Sequence, residues 1–124
     1  MYGPGQKRSM LIPRLIDSIK AERAISLQGN EGIRINPVHV FDATEALKSS
    51  LKLEGSYTLN IAGPEVLSLR QITTTISNRL GVQPIFECND ELPKHLIANI
   101  DAMKSMLHSP TTCLANGIDG LLSA

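Results

Sequence analysis

The chain is poor in aromatic residues: its 124 residues include no Trp and only two Tyr and two Phe. With so few rings, it offers no platform on which the bases of a single-stranded nucleic acid could stack. An excess of one charge is lacking as well, since twelve basic residues balance twelve acidic ones. Neither nucleic acid nor an anionic membrane is therefore an expected partner.

Long apolar runs are also missing, because the longest, such as Met10–Pro13, fall far short of the roughly 18 residues that span a bilayer. No signal peptide pattern opens the chain, so we expect a cytoplasmic protein with no membrane segment. Cys88 and Cys113 lie outside any C-x-x-C or metal-ligand spacing. Two reduced, semi-buried thiols are expected, with a disulfide between them as the alternative, and no metal is expected.

The length fits one domain over residues 1–124, and Leu, Ile, Val and Met must fill its core. Apolar spacing predicts a helix capped by Ser9 and ending near Glu22. Alternation predicts a strand at Ala24–Gln28, followed by a turn at Gly29–Gly32 and a second extended stretch to Phe41.

Further along, Asp42 predicts the start of a second helix and Tyr57–Ile61 reads as a strand. Ser68 and Gln71 form a capping box that predicts the most secure helix, which Gly81 ends. A strand at residues 84–88, a loop at 89–99 and helices at 101–108 and 112–122 complete a mixed α/β chain with short strands and about five helices.

Several nucleotide-binding and catalytic patterns are absent, namely G-x-G-x-x-G, G-x-x-x-x-G-K-[ST] and G-x-S-x-G. His39 and Asp42 have no evident nucleophile beside them, so a structural histidine is favoured over a catalytic pair. The turn at Gly29–Gly32 is either a hairpin turn or a cradle for phosphate. Arg34 just beyond it is either an exposed side chain or a clamp for phosphate oxygens.

An ordered set of short motifs runs in one register from residue 2 to about 118: Tyr2–Gln6, Leu11–Pro13, Leu27–Gly29, Gly32–Arg34, Val38–Asp42, Leu59–Asn60, Gly63, Leu67–Leu69, Asp101–Lys104 and Pro110–Gly117. This set resembles the extended short-chain dehydrogenase/reductases, and within them the NAD-dependent sugar-nucleotide epimerases and dehydratases. The resemblance implies the carboxyl-terminal, substrate-binding part of such a protein, truncated so that it lacks the Rossmann domain.

The resemblance also implies roles for individual residues. Leu11, Ile12 and Pro13 would border the base and ribose of a nucleotide sugar, Leu27 and Gln28 would lie along the nucleotide, and Arg34 would contact the diphosphate. Where relatives commonly place a second arginine, this chain has Lys94, close to Asp90 and Glu91, which would repel phosphate.

No catalytic residue carries over, because neither tyrosine is followed four residues later by lysine. The family's NAD(P) site and its Tyr-x-x-x-Lys pair would lie in the absent domain, so we expect no cofactor in this chain. The predicted function is the portion of an epimerase or dehydratase that binds a UDP- or dTDP-sugar, inactive by itself. The alternative is a non-catalytic protein-interaction module, and a homo-oligomer is possible in either case.

Overall fold

Ten short elements follow one another in the computed structural model, which describes residues 1–122. Ser123 and Ala124, the end of the predicted domain, lie outside the described residues. The elements are α1 (Leu11–Lys20), β1 (Ala24–Gln28), β2 (Arg34–Ile35), α2 (Val40–Ser50), β3 (Leu67–Ser68), α3 (Leu69–Leu80), β4 (Ile85–Asn89), α4 (Asp101–Met106), α5 (Leu114–Gly117) and α6 (Asp119–Leu122). The predicted mixed α/β class with short strands is confirmed.

The two longest strands, β1 and β4, pair in parallel from Ala24 opposite Ile85 to Gln28 opposite Asn89. The connection between them includes α3, since parallel strands cannot be joined by a tight turn. The turn after β1 therefore does not form the predicted hairpin. Instead β2 pairs antiparallel with β3, which directly precedes α3.

The core lies where α1 and α3 pack beside β1. Alternation along β1 directs Ile25 and Leu27 inward, as its sequence predicts. The helices supply buried residues at the expected 3.6-residue spacing, and residues of the C-terminal turns complete the core. Its fully buried aliphatic members are Ile16, Ile19, Leu27, Ile72, Ile76 and Ile118.

Helix α3 is bounded as its sequence predicts. The Ser68 hydroxyl accepts a hydrogen bond from the Gln71 backbone N–H, and the Gln71 side chain accepts one from the Ser68 N–H. At the other end Gly81 adopts φ 70°, a left-handed conformation that glycine reaches without a Cβ clash. Both ends of the helix are thus satisfied locally, which explains why its boundaries are readable from sequence.

Helices α1 and α2 begin elsewhere than predicted. Met10, not Ser9, is the N-cap residue of α1. Helix α2 begins at Val40 with His39 as its cap, whose Nδ1 accepts a hydrogen bond from the Phe41 N–H at 3.1 Å. Asp42 is therefore not a cap but a first-turn residue turned into the protein.

Two other predictions of secondary structure are wrong. Tyr57–Ile61 is not a strand, because no other strand of residues 1–122 lies beside it. The final helix divides into α5 and α6, which Ile118 separates. In addition, both cysteines are free thiols, and Cys88 is exposed, not semi-buried. No helix in the described part of the chain is long and apolar enough to cross a membrane.

Candidate functional site

The C-terminal ends of β1 and β4 meet at one edge of their sheet, because the strands are parallel. Gln28 and Asn89 are the paired last residues, and the Gly29 N–H donates to the Asn89 carbonyl at 2.9 Å. The loops that leave parallel strands at this edge are where open α/β sheets usually bind ligands. Three of the predicted substrate residues lie at this edge: Gln28 ends β1, Arg34 follows the loop after β1, and Lys94 lies on the loop after β4.

The loop after β4 is fastened along the segment from Gln28 to Asn36. Gln28 Nε2 lies 3.2 Å from Glu91 Oε2, which is the first contact. Asn36 makes the last, donating from Nδ2 to the Ala98 carbonyl at 2.8 Å and accepting from the Ala98 N–H at 3.0 Å. The sequence predicts no helix or strand for this loop. These hydrogen bonds nevertheless hold it against the segment that contains Arg34.

Arg34 is fixed through its backbone while its guanidinium stays free. Its N–H donates to His95 Nδ1 at 2.9 Å, and its carbonyl accepts from the Leu96 N–H at 2.9 Å. Among residues 1–122, no hydrogen bond or ion pair engages the half-buried Arg34 side chain. An anchored backbone with an uncommitted planar fork suits recognition of two phosphate oxygens.

Acidic groups near this edge oppose the binding of phosphate. Glu91 contacts Gln28, and Glu31 lies in the turn before β2. Glu31 is partly neutralised by Arg70, whose Nε is 3.8 Å from Glu31 Oε2. The exposed Lys94 precedes His95, whose ring contacts the Arg34 backbone, and it carries a positive charge without a planar fork.

Leu11 and Ile12 line a small cavity beside β2 and the start of the chain. Its volume is about 210 Å³, and Ile35 and Leu96 also line it. Those two residues form a parallel bridge next to Arg34. Since ligand pockets commonly measure about 300–1,000 Å³, this cavity has room for only part of a nucleotide sugar.

Pro13 and Leu27 are core residues. Both side chains are fully buried, Leu27 at 0% exposure, and Leu27 packs in the core cluster with the helices. Their side chains cannot border a ligand in this structure, although each is adjacent in sequence to a residue, Ile12 or Gln28, that lies at the cavity or the edge. The predicted set thus divides into an edge group, a cavity group whose member Ile12 also belongs to the core cluster, and two fully buried residues.

Asp42 is the buried charge that sequence reasoning misassigned. Its carboxylate is 0% exposed and lies 2.8 Å from His108 Nε2, while the N–H groups of Thr111 and Thr112 donate to the other oxygen at 3.1 and 2.9 Å. Burial alone would raise the pKa of Asp42, but these hydrogen bonds outweigh it and hold the pKa below its ordinary value. The partner is His108, not His39, and no local spacing could reveal it.

Beside Asp42, Tyr2 is buried with its hydroxyl unpaired, and its ring meets that of His39 edge to face at 5.2 Å. Burial is the main reason that the pKa of Tyr2 is raised well above its ordinary value. Tyr2 is therefore a neutral core residue. No group of three or more His, Cys, Asp or Glu side chains in residues 1–122 is placed to hold a metal ion.

An apolar groove of about 570 Å³ opens along α2. The extended segment that carries Tyr57 forms one wall and α2 the other. Leu47 and Tyr57 are 69% and 55% exposed, which is unusual for large apolar side chains on one surface. The groove is lined by Met1, Val38, Ala43, Ala46, Leu47, Ser50, Leu53, Gly55, Tyr57, Leu59, Ile61 and Leu107.

The order and packing of these elements are those of the carboxyl-terminal portion of NAD-dependent sugar-nucleotide epimerases and dehydratases of the extended short-chain dehydrogenase/reductase fold. No family model matches the sequence, and no curated protein does. The likeness is therefore one of structure, and the sequence identities involved establish the fold alone.

Three solved structures illustrate the likeness. UDP-glucuronic acid 4-epimerase from Bacillus cereus, in complex with UDP-glucuronic acid and NAD, matches 98% of this chain with a TM-score of 0.82 and 22% identity. dTDP-glucose 4,6-dehydratase from Bacillus anthracis, in complex with NAD, gives 98%, 0.81 and 22%. UDP-glucose 4-epimerase from Thermus thermophilus, with NAD, gives 99%, 0.79 and 15%. The chain spans only 41%, 40% and 44% of their respective lengths.

Proposed function

We propose that this chain is the nucleotide-sugar-binding portion of a cytoplasmic, NAD-dependent sugar-nucleotide epimerase or dehydratase, and that it is inactive when isolated. The observation that carries the proposal is Arg34, whose backbone is fixed by two hydrogen bonds while its guanidinium forms no hydrogen bond or ion pair within residues 1–122. The fold supports it, because two similar structures contain UDP-glucuronic acid or UDP-glucose. The ligand proposed for this chain is a UDP- or dTDP-sugar, and NAD would bind to other parts of the full protein.

In this proposal each group of residues has one task. Arg34 would form charge-assisted hydrogen bonds to the diphosphate, and Lys94 would add a point charge nearby. The cavity beside Leu11 and Ile12 would take an apolar part of the nucleotide. Glu91 would weaken the site through repulsion, so the affinity of the isolated chain should be modest.

Arg34→Ala should weaken binding of a UDP- or dTDP-sugar by roughly 1.5–3 kcal/mol, the range for hydrogen bonds to charged groups. Arg34→Lys should recover part of the loss, because an ammonium keeps the charge but lacks the fork. Isothermal titration calorimetry with a panel of these sugars measures both effects.

Lys104→Ala is the matched control, since it removes an exposed positive charge on α4 and should leave affinity unchanged. Thermal melting without ligand should be similar for all four proteins, because within residues 1–122 the Arg34 side chain forms no hydrogen bond or ion pair. Equal affinity of the wild type and Arg34→Ala would refute the diphosphate role. A large loss of ligand-free stability would make Arg34 a structural residue.

The apolar groove favours a second candidate, a protein-interaction module. Its exposed leucine and tyrosine side chains remain in water unless another polypeptide covers them. Such a polypeptide is either the dinucleotide-binding part of a longer protein or a separate partner. In both cases the isolated chain should use the groove to self-associate.

Leu47→Glu should shift the isolated chain towards monomer, because a carboxylate in the groove would have to lose its water on association. Sedimentation velocity at tens of micromolar, an order of magnitude chosen for weak interfaces, measures the shift. Leu92→Glu is the control, since Leu92 is 88% exposed but does not line the groove. A wild-type chain that sediments as a monomer would contradict self-association through the groove.

A further inference from the structure

A cleft of about 430 Å³ lies beside α1 at the opposite end of β1 from Arg34 and Gln28. From Ala24 to Gln28 the strand rises about 3.3 Å per residue, so the cleft and the nucleotide-sugar edge are on the order of 13 Å apart. The two are therefore separate places on the molecule. The cleft is lined by Arg8, Arg14, Asp17, Ser18, Arg23 and Ala24.

Its one carboxylate is already neutralised. Arg8 Nε is 3.3 Å from Asp17 Oδ2, and the terminal Nη2 of Arg8 contacts the other oxygen, so the pair is bidentate. Hydrogen bonding by Arg8 is the main reason that the pKa of Asp17 is lowered. A guanidinium carries five N–H donors, so Arg8 keeps further donors for a ligand.

The remaining two arginines are uncommitted. Arg14 and Arg23 are exposed, and within residues 1–122 neither side chain forms an ion pair or a hydrogen bond. The cleft thus holds two unbalanced positive charges in a chain whose net charge is zero. Guanidinium forks that line one cleft can form charge-assisted hydrogen bonds to the oxygens of a phosphate group.

The backbone that carries Arg23 is held in an unusual conformation. Glu22 has φ 55°, and in the described part of the chain no other non-glycine residue has a positive φ. This turn lets the Arg23 N–H donate to the Ser18 carbonyl at 2.9 Å, bringing Arg23 back over the end of α1. Together with the hydrogen bond from the Glu22 N–H to the Ile19 carbonyl at 3.2 Å, this is the Schellman arrangement that commonly ends helices, and it fixes the Arg23 backbone beside the last turn of α1.

The geometry points to a second anion site in this cleft, one that takes a compact, multiply charged phosphate such as a pyrophosphate or a phosphate ester. Arg14 and Arg23 are its principal ligands, and Arg8 supports them while Asp17 holds Arg8 in place. The lining contains no aromatic residue, so a nucleobase would find no stacking partner there. The site is independent of the proposed nucleotide-sugar function.

Calorimetric titration of inorganic pyrophosphate at low salt tests the site. The titration uses the Arg34→Ala chain, so that the other candidate phosphate ligand does not contribute. We expect saturable binding with a Kd of roughly 1 mM or tighter, and progressive weakening as salt is added. Absence of saturable binding would overturn the proposal.

Arg14→Gln combined with Arg23→Gln should weaken binding roughly tenfold or more, because two charge-assisted contacts are lost. The matched control combines Lys52→Gln with Lys104→Gln, which changes the net charge equally at exposed positions outside the cleft. It should alter the Kd by no more than about twofold at moderate salt. Equal losses in the two double variants would mean that pyrophosphate senses only the overall charge, and would also overturn the proposal.

Discussion

Asp42→Ala should lower the free energy of unfolding by about 3–5 kcal/mol, the cost of breaking a buried, hydrogen-bonded charge network. The carboxylate joins the first turn of α2 to His108 and to the N–H groups of Thr111 and Thr112. Removing it takes the acceptor away from those two N–H groups and the imidazole, at a side-chain position that is 0% exposed. Urea unfolding at neutral pH measures the loss.

Asp42→Asn should recover only part of this stability. An amide oxygen can still accept a hydrogen bond, but the NH₂ group would face donors where the second oxygen now accepts. Asp17→Ala is the control, because the Asp17 carboxylate pairs with Arg8 at the surface, where ion pairs contribute little. If Asp42→Ala unfolded at the same urea concentration as Asp17→Ala, the network would not hold the C-terminal turns to α2.

The same network predicts a dependence on acid. Because the folded pKa of Asp42 lies below its ordinary value, its contribution is complete above about pH 4 and disappears as the pH falls through the folded value. The stability difference between wild type and Asp42→Ala should therefore persist from neutral pH to about pH 4 and shrink below it. A constant difference down to the acid transition would show that the carboxylate is not the source.

The parts of this fold that were predictable from sequence are those with local causes. Ser68 and Gln71 cap α3 through bonds within one turn, and alternation alone directs Ile25 and Leu27 of β1 inward. The misassigned parts depend on distant residues. Nothing near Asp42 reveals that its partner is His108, and nothing near β1 reveals that its neighbour is β4.

In the candidate site, too, the features with local causes were predictable and those that depend on distant residues were not. The resemblance singled out Arg34, and the structure gives it an anchored backbone, but the anchoring residues His95 and Leu96 belong to a loop with no periodic signal. Pro13 and Leu27 share motifs with exposed residues, yet their side chains are buried, because a motif does not say which face each residue takes. Tyr57–Ile61 alternates like a strand, but alternation without a partner strand forms no sheet.

Gly63→Ala should cost at least about 3 kcal/mol of unfolding free energy or prevent folding, at the upper end of what overpacking usually costs. A Cβ at this position would lie 1.7 Å from the Pro37 carbonyl oxygen and 2.6 Å from its carbon. Both partners are backbone, so no side-chain rotation can relieve the clash. The two backbone segments must therefore move apart, which would break the 3.0 Å hydrogen bond from the Gly63 N–H to the Asn36 carbonyl.

Gly55→Ala is the control, because it separates the effect of this clash on stability from the effect of replacing a glycine elsewhere. Gly55 has φ 91°, yet a Cβ there would meet nothing within 4 Å. That variant should lose only about 1–2 kcal/mol, the strain of a left-handed conformation. Because Gly63 supports Asn36, which holds the loop after β4, Gly63→Ala should also loosen the edge that carries Arg34. Hydrogen exchange at the Ala98 N–H should accelerate in any folded Gly63→Ala and stay unchanged in Gly55→Ala, whereas equal stability and exchange in the two variants would refute close packing at Gly63.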